Sequence, residues 1–115
     1  MHLDRYGFGR LVVDGREIHS DALLSPEGVR EHWWRREGHV LCLDDLSAVL
    51  DDRVKRLVVG TGAYGRMRLE PGLEAELVAR GVVTEVLKTA AAVDRVNELL
   101  GVGATGWAAA MHLTC

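Results

Sequence analysis

Residues Gly60-Thr61-Gly62-Ala63-Tyr64-Gly65 carry the spacing G-x-G-x-x-G directly after an apolar run. That spacing can hold a pyrophosphate, because glycines let the backbone approach it and a following helix presents its free N–H groups. Glu85 stands where a ribose-binding acid would be sought. The mechanism, however, needs the third glycine to open the helix. Here Arg66 to Glu70 intervene before a helix predicted to start near Pro71, and Glu85 falls inside a predicted strand. A dinucleotide is therefore not expected, and no other cofactor is implied. A tight loop at the carboxyl end of a strand is still where α/β sheets bind ligands. Its free backbone N–H groups, with Thr61, Gly62, Tyr64, Arg66 and Arg68, make it the candidate site for a small molecule or anion.

Two further groupings have the residue types of a site but the wrong arrangement. His39-x-x-Cys42 and His112-x-x-Cys115 repeat one spacing, and two His with two Cys could close a tetrahedral zinc site if they met. Common zinc knuckles use Cys-x-x-Cys, and Cys42 reads instead as the start of a helix with Asp45 three residues on. No metal is expected. His19-Ser20-Asp21 contains the residue types of a hydrolase triad, yet neighbouring side chains on a strand point to opposite faces and do not converge. Asp44-Asp45 and Asp51-Asp52 read as charges at the ends of one short helix. No nucleophile–base pair emerges, so no catalytic residue is assigned, and the pattern weighs against an enzyme.

Trp33-Trp34-Arg35-Arg36 is the most unusual stretch. In a strand, one of two adjacent tryptophans points inward and the other outward. Continuing the alternation from Val29 puts Trp33 in the core and Trp34 at the surface. An exposed Trp beside Arg35 is the chemistry of a protein-interaction hot spot, so these two residues are the candidate partner-binding pair. Such a patch would also allow a homodimer.

The elements that must position these residues change rhythm along the chain. Arg10 to Val13 and Arg16 to His19 flank Asp14-Gly15, a pair suited to the positive φ angles of a type I′ hairpin turn. Ala22 to Leu24, the turn Ser25-Pro26-Glu27-Gly28 and Val29 to Trp34 extend this into an antiparallel meander. Beyond it, helix and strand alternate. Leu43, Leu46, Val49 and Leu50 recur at helical spacing, and Lys55 to Gly60 reads as a buried parallel strand. Pro71 to Arg80 is predicted to be a helix that buries Leu73, Leu77 and Val78. Val82 to Leu87 follows as a strand. Thr89 is then expected to cap a helix over residues 90–100, with Val93, Val96 and Leu100 inward. Trp107 to Leu113 closes as a strand whose three alanines suit a crowded centre. Alternating strands and helices imply an α/β fold of three layers, with a mostly parallel central sheet and an N-terminal antiparallel meander.

At 115 residues the chain has room for one domain and one core, spanning residues 1–115. Its 48 % hydrophobic and 27 % charged residues exclude disordered, collagenous and disulfide-scaffold classes. A net charge of −3 argues against nucleic acid, which selects a basic footprint. Twelve of the fourteen basic residues are Arg, a skew that codon usage in a GC-rich genome would produce. Two cysteines suit a reducing compartment, and the charged N-terminus has neither a signal-like apolar run nor an amphipathic presequence, so a cytoplasmic protein away from membranes is expected.

Four blocks, YGFGRLVVDG, SPEGVREHWWRREGH, VVGTGAYGRM and the terminal AAAMHLTC, stand in an order that resembles the domain-of-unknown-function 498 family. Members of that family include a mitochondrial complex I assembly factor and an adipogenesis-associated protein. The resemblance implies the three-layer α/β fold reached above and no established catalytic activity. Together with the missing catalytic constellation, it implies a protein-interaction, assembly or regulatory factor. The alternative is a ligand-binding domain, or an enzyme of unannounced chemistry, built on the Gly60–Gly65 loop.

Overall fold

A computed structural model describes residues 1–115. Three short strands come first: Leu3–Gly7 (β1), Arg10–Val13 (β2) and Arg16–Ile18 (β3), paired in that order as an antiparallel meander. Asp14 and Gly15, between β2 and β3, hold φ of 51° and 80°, as a type I′ turn requires. Ala22–Ser25 (β4) and Gly28–Arg30 (β5) form the next hairpin, and Val40–Leu41 (β6) and Arg68–Leu69 (β8) a short parallel pair. Arg56–Thr61 (β7), Val83–Leu87 (β9) and Trp107–His112 (β10) complete the strands, with helices Leu73–Ala79 (α1) and Thr89–Gly101 (α2) between them.

The main sheet runs β5-β4-β10-β7-β9. β7 is parallel to β9 and to β10, whereas β10 meets β4 antiparallel, and β4 meets β5 antiparallel. The sheet is thus mixed, parallel on one half and antiparallel on the other. β10 is central, and every residue of it is buried. Alternation along it feeds two cores. Ala109 and Met111 face α2 and the meander, with Val58, Val93, Val96 and Leu11. Ala108 and Ala110 face α1 and the β6–β8 layer, with Leu57, Leu73, Leu77 and Leu41. These are the three layers expected from the sequence. No helix is long and apolar enough to cross a membrane.

Several local expectations are corrected. The helix expected after Cys42 is only a 3₁₀ turn, Leu43–Leu46, since the N–H groups of Val49 and Leu50 both return to the Leu46 carbonyl and no ladder continues. In α1 only Leu73 and Leu77 are buried, one i, i+4 stripe, while Val78 is 73 % exposed. Leu99 takes the inward place expected of Leu100. The strand expected over residues 29–34 ends at Arg30, because His32 turns the chain with φ of 56°, its N–H donating to Ser20 Oγ. β1 was not anticipated, its alternation being blurred by Asp4 and Arg5.

Candidate functional site

Small residues decide how the carboxyl end of the parallel strands is built. Gly60 is where α2 closes on the sheet: a Cβ there would lie 2.8 Å from Met111 Sδ and 3.3 Å from Ala92 Cβ. Gly62 combines φ of +107° with an approach that would put a Cβ 2.7 Å from the Thr114 carbonyl and 2.8 Å from His112 Cδ2. Packing therefore accounts for both glycines. Thr89 does not cap α2, which Lys88 precedes as N-cap residue. Its fully buried hydroxyl accepts from the Gly62 N–H (2.8 Å) and donates to the His112 carbonyl (2.6 Å), fastening β7 to β10.

The antiparallel register Ala22↔Met111 brings Asp21 beside His112, one step further along. His112 Nδ1 lies 2.8 Å from Asp21 Oδ2, and the Leu113 N–H donates to Asp21 Oδ1 at 2.7 Å. Arg35 closes the cluster. Its Nη1 is 2.9 Å from Asp21 Oδ2, its Nε and Nη2 both donate to the Gly38 carbonyl, and its guanidinium lies 4.7 Å above the Trp33 ring. His112 Nδ1 also lies 3.1 Å from Arg35 Nη2, a donor, so the nitrogen stands between the Asp21 carboxylate and the guanidinium, and the ring tautomer decides which of the two it pairs with. Nε2 is buried and has no partner. Burial pushes the Asp21 carboxyl up, but hydrogen bonds from His112 and the Leu113 N–H, with the Arg35 guanidinium, outweigh it and hold the group below its ordinary value.

Arg35 is thereby removed from the predicted surface pair: its side chain keeps only 5 % exposure. Trp33 is buried as expected, with its indole N–H donating to the Asp45 carbonyl. Trp34, between these two anchors, is 82 % exposed. Asp21, His112 and Arg35 as a unit were missed. The available signal was a lone His in the alanine-rich strand WAAAMH and an Asp directly before the apolar run of β4.

The Gly60–Gly65 loop sits at the same end. His112 contacts Arg35 on one side and faces Gly62 on the other, so the loop and the 33–39 segment share a neighbourhood. The expected cradle of free N–H groups is largely absent, since those of Gly62, Ala63, Gly65, Met67 and Arg68 all donate within the protein. Thr61 is buried and donates to the Leu87 carbonyl. Tyr64 is 64 % exposed, in a tilted pair with Phe8 at 6.1 Å, and Arg66 lies 5.8 Å from its ring. The exposed Arg66, Arg68 and Lys88 take part in no ion pair.

Of the repeated His-x-x-Cys residues, His39, His112 and Cys115 gather, with Cys115 Sγ 4.0 Å from His39 Nε2 and the imidazoles edge to face. Cys42 lies apart, beside Asp45 and Glu70. A cleft of about 690 Å³ opens at the opposite end of the sheet. Of its two arginines, Arg53 is paired with Asp51 and Glu27, whereas Arg30 is exposed and makes no ion pair.

A family model for proteins of unknown function, DUF498/DUF598, matches residues 3–112. The chain belongs to that family. Solved structures agree with this. An outer membrane protein from Bartonella henselae is 26 % identical, with a TM-score of 0.80, matching over 98 % of this chain and 94 % of that one. A conserved hypothetical protein from Pyrococcus horikoshii OT3 is also 26 % identical, at a TM-score of 0.78 over the whole of both chains. A Bordetella pertussis protein, a Mth938-like domain, shares the fold at 23 % identity and a TM-score of 0.73, over 97 % of this chain and 85 % of its own. The family therefore carries the α/β architecture with its N-terminal meander.

Proposed function

We propose that this protein is a partner-binding module of an assembly or regulatory kind, working in the cytoplasm, with Trp34 as its principal anchor. The exposure of Trp34 between two buried neighbours carries this reading. A large aromatic side chain on a segment already fixed by its neighbours loses little conformational freedom on binding, and such residues dominate interface energetics. Trp34→Ala removes only exposed surface. Immobilised wild-type protein is expected to retain a partner from native extract that the variant, with an unchanged melting temperature, loses. Equal retention by both proteins would refute the reading.

A second reading, ligand binding at the Gly60–Gly65 loop, draws support from the unpaired Arg66, Arg68 and Lys88. Stabilisation by phosphates or carboxylates in a thermal-shift screen, lost in Arg66→Ala, would favour it.

A further inference from the structure

The exposed cations and aromatics around Tyr64 fall together in space. Phe8, on the turn between β1 and β2, is 60 % exposed and pairs with Tyr64. Arg66 stacks over Tyr64, and the Lys88 stem runs alongside Gly65, so that a Cβ there would sit 3.4 Å from Lys88 Cγ. Arg68 follows on β8, its N–H donating to the His39 carbonyl. In a chain of net charge −3, these three cations make no ion pair with a carboxylate of the protein.

We propose that this patch receives an acidic, apolar-containing segment of a protein partner. The segment's carboxylates would lie on Arg66, Lys88 and Arg68, and its apolar side chain on the Phe8–Tyr64 rings. The inference rests on the reading that this end of the sheet seats a partner, and it names that partner's chemistry. A compact free anion fits less well. Most of the loop's backbone donors, those of Gly62, Ala63, Gly65, Met67 and Arg68, are committed within the protein. Two exposed rings also offer apolar area that an inorganic anion cannot use. The acidic balance of the whole chain disfavours a polyanionic strand, whose affinity grows with every phosphate neutralised.

Fluorescence anisotropy with a labelled peptide of repeated Glu-Phe-Glu units tests this, beside a Lys-Phe-Lys counterpart, oligouridine and inorganic phosphate as competitor. The wild-type chain is expected to bind the acidic peptide, more weakly as salt rises, and to ignore the basic one. Charge reversal in Arg66→Glu/Lys88→Glu is expected to weaken binding by about tenfold or more, and Phe8→Ala to weaken it at unchanged charge. Both variants alter exposed side chains, and an unchanged melting temperature verifies their folding. Equal binding of both peptides, tighter binding of oligouridine, displacement by phosphate alone, or no peptide binding would each overturn the proposal. The broader reading is separated by Trp34→Ala. If wild-type protein fails to bind the peptide while the variant loses its captured partner, the acidic-segment proposal falls and the partner-binding reading stands. If the peptide binds and Trp34→Ala changes nothing, Trp34 is not the anchor.

Discussion

Two groups of cationic side chains stand at the same end of the sheet under opposite regimes. Arg35 is buried against Asp21, His112, the Gly38 carbonyl and the Trp33 ring. Arg66, Arg68 and Lys88 are exposed and unpaired. A buried guanidinium persists only where its charge is matched, here by Asp21, so its surroundings are fixed by the fold. An exposed one is matched by water and stays available to another molecule. Equal residue types therefore divide into a fastening and a contact surface, and the division follows from what the backbone brings opposite each of them.

The largest effect that sharpens this contrast is expected from Asp21→Ala. It strands the Arg35 charge and leaves the Leu113 N–H without its acceptor. Removing one member of a buried pair costs about 3 kcal/mol or more, the low end applying because Asp21 retains 15 % exposure. Urea unfolding measures it, and a loss below about 1 kcal/mol would put Arg35 in the same class as Arg66.

Acid comes next. The folded Asp21 carboxyl titrates below its ordinary value, so the unfolded chain takes up the proton at a higher pH than the folded one. Its contribution is complete above the ordinary carboxylate pKa of about 4 and is lost as pH falls through the depressed folded value. Glu85, held down by Arg95 and Arg56 against the opposing effect of burial, adds a slope of the same sign. Unfolding free energy is therefore expected to fall less steeply below about pH 4 in Asp21→Asn than in the wild type. Equal slopes would mean that the Asp21 pairing does not persist in solution.

The smallest effect belongs to the exposed group. Arg66→Ala should shift unfolding free energy by no more than about 0.5 kcal/mol, and a larger loss would mean that Arg66 has a structural partner.

The architecture was legible wherever a local signal and a global demand coincided. Asp14-Gly15 fixed a hairpin, the run from Lys55 to Gly60 a buried strand, and the alanines of β10 a crowded centre. Trp33 inside and Trp34 outside followed from alternation, even though the strand assumed for them stops at Arg30. The charged cluster was not legible. Asp21 and His112 meet through a pairing between distant parts of the chain, and Arg35 reaches them from an irregular segment with no periodicity to read. The packing duty of two glycines in the Gly60–Gly65 loop was hidden for a related reason. Gly60 and Gly62 answer to side chains from α2 and to the backbone at Thr114, none of which local spacing reveals.

The central position of β10 bears on how the molecule assembles. Its neighbours are β4 and β7, drawn from separate stretches of sequence, and every other element precedes it in chain order. Until β10 is seated, β4 and β7 each present an unsatisfied edge and both cores lack their middle. Closing the sheet thus depends on long-range pairing, the kind that slows folding. The Thr89 hydroxyl and the Asp21 carboxylate grip the carboxyl end of β10 and hold this late-coming strand in register.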